Sequence, residues 1–379
     1  LSATPERDAL ELAIVAPQGV ALARLHGMAA PQAVAAFERT RVLCDALPIN
    51  AERAWLMGRL GWVLFARGEY AATVALAARI HEWSLAHDDA LLAACACCLT
   101  GVALSYQGQL QDAVRWMEQG LADCAGLEDR LAQAPFVVDP QVCMHGSLGR
   151  PLLLLGRTAE ALVHAGAART RAERIGQPMS ELVARWCHGA LEIALDRPEA
   201  VEEATAPLPA LVERMASAPG EGPARWMRGW LEARHGDPDA GLADILEGLA
   251  HHKRYGMSAG CPQVLGYAAD ASFAAGDLPS ALAQVDEGLA LARRMDEGLS
   301  LPELTLQKAQ LLQAGGRTVE ACTLLRQTVD LAQRERAVRL ELQALDALCA
   351  TSRATPDELS ALQRVRTIAA AIAAESAMA

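Results

Sequence analysis

Residues 229–241 read GWLEARHGDPDAG, and the same frame stands 40 residues further on at 269–281, ADASFAAGDLPSA. It returns as AQLLQAGGRTVEA at 309–321. Upstream it stands as GWVLFARGEYAAT (61–73), GVALSYQGQLQDA (101–113), GRPLLLLGRTAEA (149–161) and GALEIALDRPEAV (189–201). Each stretch opens on a small residue, carries a turn-forming residue at its eighth place and reaches a second small residue or Thr near its end. The turn centres fall at Met28, Gly68, Gly108, Gly156, Asp196, Gly236, Gly276, Gly316 and Pro356. Every step is 40 residues except the 48 from Gly108 to Gly156. A period of this length belongs to a stack of small units with no single globular core.

Seven residues before the centres stand Ala21, Gly61, Gly101, Gly149, Gly189, Gly229, Ala269 and Ala309, with Cys349 in the ninth unit. Five after stand Ala33, Ala113, Ala161, Ala281, Ala321 and Ala361, and twelve after stand Gly120, Ala168, Gly248 and Gly288. Small side chains at fixed helical positions let two helices approach closely, and a Gly between them ends the first by accepting a positive φ. Around these points apolar residues step by three or four, as in Leu278, Ala281, Leu282, Val285, Leu289 and Ala292. Pro262 and Pro302 fall near the first turn of their helices, where a missing N–H costs nothing. Each unit reads as helix A, a tight turn and helix B, about 18 residues per helix. Nothing alternates with period two. The expected fold is all-α, a right-handed α-solenoid of about nine helix-turn-helix units in one domain spanning 1–379, with its insertion at about 127–139.

Hydrophobic residues make up 52% and aromatics 4%, which suits a helical chain with much internal packing surface. The net charge of −12 leaves no basic face for nucleic acid. Arg169, Arg171 and Arg174 cluster, but Glu173 interrupts them, and a solvated outer face is the expected reading. No run of 18 apolar residues exists, and the apolar stretch 9–23 carries Glu11 and Pro17, so neither a membrane span nor a signal peptide is expected. Ten cysteines lie almost all inside predicted helices, as befits reduced, buried thiols in a cytoplasmic protein. The chain begins at Leu1, which suggests a piece of a longer protein.

The frame of small residue, Gly and Ala resembles tetratricopeptide repeats, whose standard unit is about 34 residues. Units near 40 resemble the superhelical sensor region of the maltose-regulon transcription activator and of related bacterial signal-transduction ATPases. The residues behind this are Asp139-Pro140-Gln141-Val142 ahead of 152–156 and Ala161, Arg228-Gly229-Trp230, the turn at 236–241, Glu247-Gly248-Leu249, and Phe37-Glu38-Arg39 leading to Leu43-Cys44. The resemblance covers essentially the whole chain. It implies upstream ATPase and DNA-binding or other output domains as partners in the same protein, and a small-molecule or protein effector. No phosphate-binding G-x-x-x-x-G-K-[ST] loop and no DNA-reading helix-turn-helix occurs in the chain itself.

The resemblance further implies that helix A lines an inner groove through the positions 13, 10, 6, 3 and 2 before each centre. Five of the seven Trp land there: Trp55, Trp62, Trp186, Trp226 and Trp230. Tyr106 and Arg150 do as well. Trp suits a place where an apolar body meets a partner. It equally suits filling gaps beside Gly and Ala in a packed layer, and both readings stand. Positions 11, 8 and 4 before the centre, normally apolar, hold Arg185, His188 and Glu192, then Arg225, Arg228 and Glu232. Unpaired burial of six such groups would be costly. They are expected either to form ion pairs, such as Arg228 with Glu232, or to present Arg185, Arg225 and Arg228 to an anionic ligand.

Cys95 and Cys98 share a helix face and Cys143 holds the equivalent place in the next unit, as small buried residues or as soft-metal ligands; no metal or cofactor is expected. Phe136, in the apolar stretch 131–138 of the insertion, is a candidate lid over the groove or a loop residue packed on a helix. Pro151 should kink its helix and present Arg150. His145, His188 and the pair His251-His252 have no matching nucleophile at helical spacing, so no enzyme is expected. The expected function is a ligand-sensing and protein-interaction repeat region, with a freestanding peptide-binding adaptor as the alternative.

Overall fold

The computed structural model describes residues 4–28, 30–215, 220–351 and 353–376; Leu1 lies outside them. Among the described residues there is no strand. Helices pair along the chain as the repeat requires: α1 (Pro5–His26) with α2 (Pro31–Ala46), α3 (Ala51–Ala66) with α4 (Tyr70–Ala86), and α5 (Ala90–Tyr106) with α6 (Leu110–Asp123). The short α7 (Glu128–Gln133) occupies the insertion. Then come α8 (Pro140–Leu154) with α9 (Thr158–Ile175), and α10 (Pro178–Ala194) with α11 (Pro198–Thr205) and α12 (Leu208–Met215). The carboxy-terminal pairs are α13 (Glu221–His235) with α14 (Pro238–Arg254), α15 (Cys261–Ala274) with α16 (Leu278–Met295), α17 (Leu301–Ala314) with α18 (Thr318–Glu335), and α19 (Val338–Cys349) with α20 (Pro356–Ser376). The fold is a tetratricopeptide-like α-solenoid.

The turn chemistry explains the period. Gly68, Gly108, Gly156, Gly236, Gly276 and Gly316 all adopt φ between 76° and 113°, and Asp196 takes 56°. Three departures follow from local chemistry. Gly27, not Met28, takes the positive φ of the first turn, at 88°. Pro356 opens α20 instead of centring a turn, because its fixed φ and missing N–H fit a first helical residue. Helix B of unit 5 is broken into two helices of eight residues each, α11 and α12, at Pro207, which has no N–H to give to the preceding turn.

Small residues set the closeness of each pair. In unit 6 the contact is backbone on backbone: a methyl group added to Gly229 would stand 2.5 Å from the Gly241 carbonyl oxygen, and one on Gly248 would stand 2.8 Å from that of Gly222.

The stack winds back on itself. Met28 N donates to Tyr255 O at 2.8 Å, Ser258 N and Ala259 N both donate to Ala66 O (2.7 and 3.1 Å), and Leu299 N donates to Tyr106 O (3.1 Å). Arg339 reaches Ala194 O at 3.2 Å. Each backbone bond joins a helix A end to the chain about five units later, and the Arg339 bond joins unit 5 to unit 9, four units later. Tyr70 donates to the buried Glu297 across the same seam at 2.7 Å. The turn glycines of the first coil therefore serve twice, since Gly68 and Gly108 also meet Met295 and Gly298, while Gly236, Gly276 and Gly316 face open space. The surface of 16395 Å² exceeds the roughly 14,500 Å² expected of a compact 40.2 kDa protein by only about one-eighth. An open, extended stack would exceed it by far more.

Arg171 corrects the outer-face expectation. It lies buried and bidentate on Asp139, at 2.7 and 2.6 Å, and also touches Glu128 O at 3.3 Å. Asp139 at the same time caps α8 by accepting from Val142 N at 3.0 Å. One buried ion pair thus ties the insertion to unit 4, and Asp139 N donating to Ser180 Oγ at 2.9 Å extends the tie to unit 5.

A roofed cavity inside the superhelix

Winding turns the expected concave groove into a cavity of about 270 Å³. Its walls come from successive A helices: Trp62, Phe65 and Ala66 of α3, Val102, Ser105 and Tyr106 of α5, Cys143, Gly146, Ser147 and Arg150 of α8. Val183, Trp186, Cys187 and Ala190 of α10, Trp226 of α13, and Gln263, Val264 and Tyr267 of α15 continue it. Met257, Ala259, Gly260 and Leu299, from the loops that bond to Ala66 and Tyr106, close it from the second coil. The period explains the assembly: residues at one register of each A helix face the superhelix axis, so a stack of them becomes a continuous inner surface.

Two aromatic groups edge the space. Trp186 and Trp226 stand 5.9 Å apart, with the His252 ring 5.1 Å from Trp226. Phe65 and Tyr106 meet edge-on at 5.0 Å. Burial pushes His252 down to about 4, so it packs as a neutral ring. Burial likewise pushes the Tyr106 and Tyr267 hydroxyls up, keeping them protonated.

Arg150 is the one charged side chain in the wall among the described residues. It is 9% exposed. Its Nη2 donates to Glu303 of α17 across the seam, while Nε and Nη1 have no protein partner. Pro151 does lie inside α8, directly after it. Nearby, burial and the neighbouring Glu303 push Glu335 up to about 8. Glu297 is also pushed up by burial, against hydrogen bonds from Tyr70 and Ser300.

Of the residues expected in the groove, Trp62, Tyr106, Arg150, Trp186 and Trp226 line the cavity. The others lie elsewhere. Trp55 packs against Phe136 with the rings tilted and their centroids 5.0 Å apart, so Phe136 covers Trp55 and it is its neighbours Val137 and Val138 that join the cavity wall. Gln177 fixes that loop by donating to Phe136 O at 2.9 Å. Trp230 is buried in the core with the Arg234 guanidinium 5.2 Å over its ring. Arg185 is engaged by Glu181 and Glu173 at 3.2 and 3.5 Å. Arg225 pairs with Glu247 at 2.8 Å and Arg228 with Asp244, not Glu232, at 2.6 Å. These arginines flank the glycine contact of α13 and α14, where the close approach brings the acids of α14 within reach. His188 and Arg197 both hold Glu192 at 3.2 Å. The charged stripe is an ion-pair network away from the cavity.

Sequence reading missed Ser147, Cys187 and Tyr267, which all stand nine residues before their centres. Their shared register is the signal that could have found them. It missed the roof because a roof depends on winding. Cys95 is buried and pushed up to about 12, and no cluster of three metal-ligating side chains occurs among the described residues. Among the described residues no histidine or carboxylate lines the cavity beside Cys187 or Ser147. His145 and His164 instead meet each other through Nδ1 at 2.7 Å, and burial with that neighbour pushes His145 down to about 4. No described helix is long and apolar enough to cross a membrane.

No protein-family model matches this chain, and no curated protein does. Among solved structures it is similar to a Rap protein complexed with competence and sporulation factor, at 12% identity and a TM-score of 0.49, over 96% of this chain and 99% of that one. It is also similar to a signal-transduction ATPase with a tetratricopeptide repeat sensor from Pyrococcus horikoshii, at 12% identity and a TM-score of 0.44, covering 91% of this chain and 53% of that one. The tetratricopeptide domain of P58(IPK) matches at 14% identity and a TM-score of 0.27, over 94% and 97%. These likenesses concern architecture and carry no ligand with them.

Proposed function

We propose that this chain is the ligand-sensing repeat region of a bacterial signalling ATPase or transcriptional regulator, and that the central cavity is its receptor site. The observation that carries the reading is an aromatic, almost uncharged cavity whose wall belongs to units 2–7 and whose roof belongs to the next coil. A space of this size suits a small molecule. A ligand touching both coils favours the wound state, and that unequal affinity is what a sensor needs to bias attached ATPase and output domains. The alternative reading is a freestanding peptide-binding adaptor, whose peptide would have to enter beneath the same roof.

The test is calorimetric titration with 2-naphthylacetamide, a neutral aromatic probe. Trp186→Ala removes a wall and should weaken binding tenfold or more, in line with the loss of a buried aromatic contact. Trp83→Ala, whose ring stacks on His87 away from the cavity at 4.2 Å, should leave it unchanged. Equal effects of the two substitutions would remove the cavity as the receptor.

A further inference from the structure

A buried guanidinium in an apolar wall is costly unless its charge is answered. At Arg150 the answer is partial. Glu303 takes one of its nitrogens, and Nε and Nη1 remain without a protein partner although the side chain is nine-tenths buried. Glu303 is itself partly exposed on the far side of the seam, in the first turn of α17. Among the described residues nothing else charged lines the space, so an anion entering it meets one cation and no carboxylate in the wall. Tyr267, also in the wall and buried, has a hydroxyl without a hydrogen bond of normal geometry, and its polar neighbour is Gln263. Around this polar corner the surface is rings and aliphatic groups.

Given the cavity as ligand site, as proposed above, we propose that it selects a compact amphiphile: an aromatic or aliphatic body seated between Trp62 and Trp186, carrying one anionic group that Arg150 receives. A planar guanidinium matches a carboxylate, and such charge-assisted bonds are strong in a water-poor site. Because Arg150 also holds Glu303, the ligand's anion shares a cation with the clasp between coils.

The matched probes are 2-naphthylacetate and its neutral amide, 2-naphthylacetamide, titrated by calorimetry into the full chain. The acid should bind at least tenfold more tightly than the amide. Arg150→Met should bring the two within twofold, with amide affinity retained. Glu303→Gln, which leaves the guanidinium in place and removes its competitor, should tighten the acid several-fold and leave the amide unmoved; it keeps the idea testable if Arg150→Met fails to fold. Acid and amide binding wild type equally overturns the anion preference and leaves the cavity standing as an apolar site. If neither binds, the receptor reading itself falls, and this inference with it.

Discussion

Arg171 stands in a triplet of arginines that sequence places on a solvated face, yet only its neighbours can be there. Its own side chain is 7% exposed, against 2% for Asp139. Periodicity could not reveal this, because the partner lies 32 residues away and enters through the insertion, the one place where the period fails. The turn residues were legible for the opposite reason: a positive φ is a local demand, and Gly announces it. Arg150 was legible as an inner residue from its register, but its pairing with Glu303, 153 residues on, was not. Removing one member of a buried ion pair strands the other. Arg171→Ala should therefore lower unfolding stability by about 3–5 kcal/mol in urea titration. A loss below about 1 kcal/mol would mean that Asp139 finds water or another donor instead, contrary to its burial.

Helix pairs were legible wherever small residues repeat, since Gly and Ala at fixed places dictate how near two helices come. Unit 5 was not, because Pro207 lies within an otherwise helical apolar pattern and only the geometry of the preceding turn decides whether it kinks or breaks. The glycine contact of unit 6 yields a paired prediction. Gly229→Ala forces a methyl group onto the Gly241 backbone and should cost roughly 1–3 kcal/mol, as overpacking does. Gly166→Ala, at a position in α9 with nothing within 4 Å of the added carbon, should stabilise by about 0.5–1 kcal/mol through helix propensity alone. Thermal or urea unfolding of the two variants separates them by sign. If both are neutral, the close approach of α13 and α14 is not what fixes unit 6.

At the scale of the molecule the sequence says stack and says little of how tightly it coils. Coiling is the sum of small rotations between neighbouring units, and no single residue encodes it. What records it are contacts five units apart: Tyr70 with Glu297, the backbone bond from Leu299 to Tyr106, and the absence of a side chain at Gly298, where any Cβ would overlap the Gln107 carbonyl. The cavity exists only because of these contacts, so under the proposed function sensing and coiling are one property. Small-angle X-ray scattering measures it directly. A wound chain of this length should give a radius of gyration near the compact value of about 21 Å, at most a few ångström above it. Gly298→Val, by wedging the seam, should raise that radius by several ångström while the helical circular dichroism stays unchanged. A wild-type radius above about 27 Å, unmoved by Gly298→Val, would contradict the closed coil and the cavity inside it.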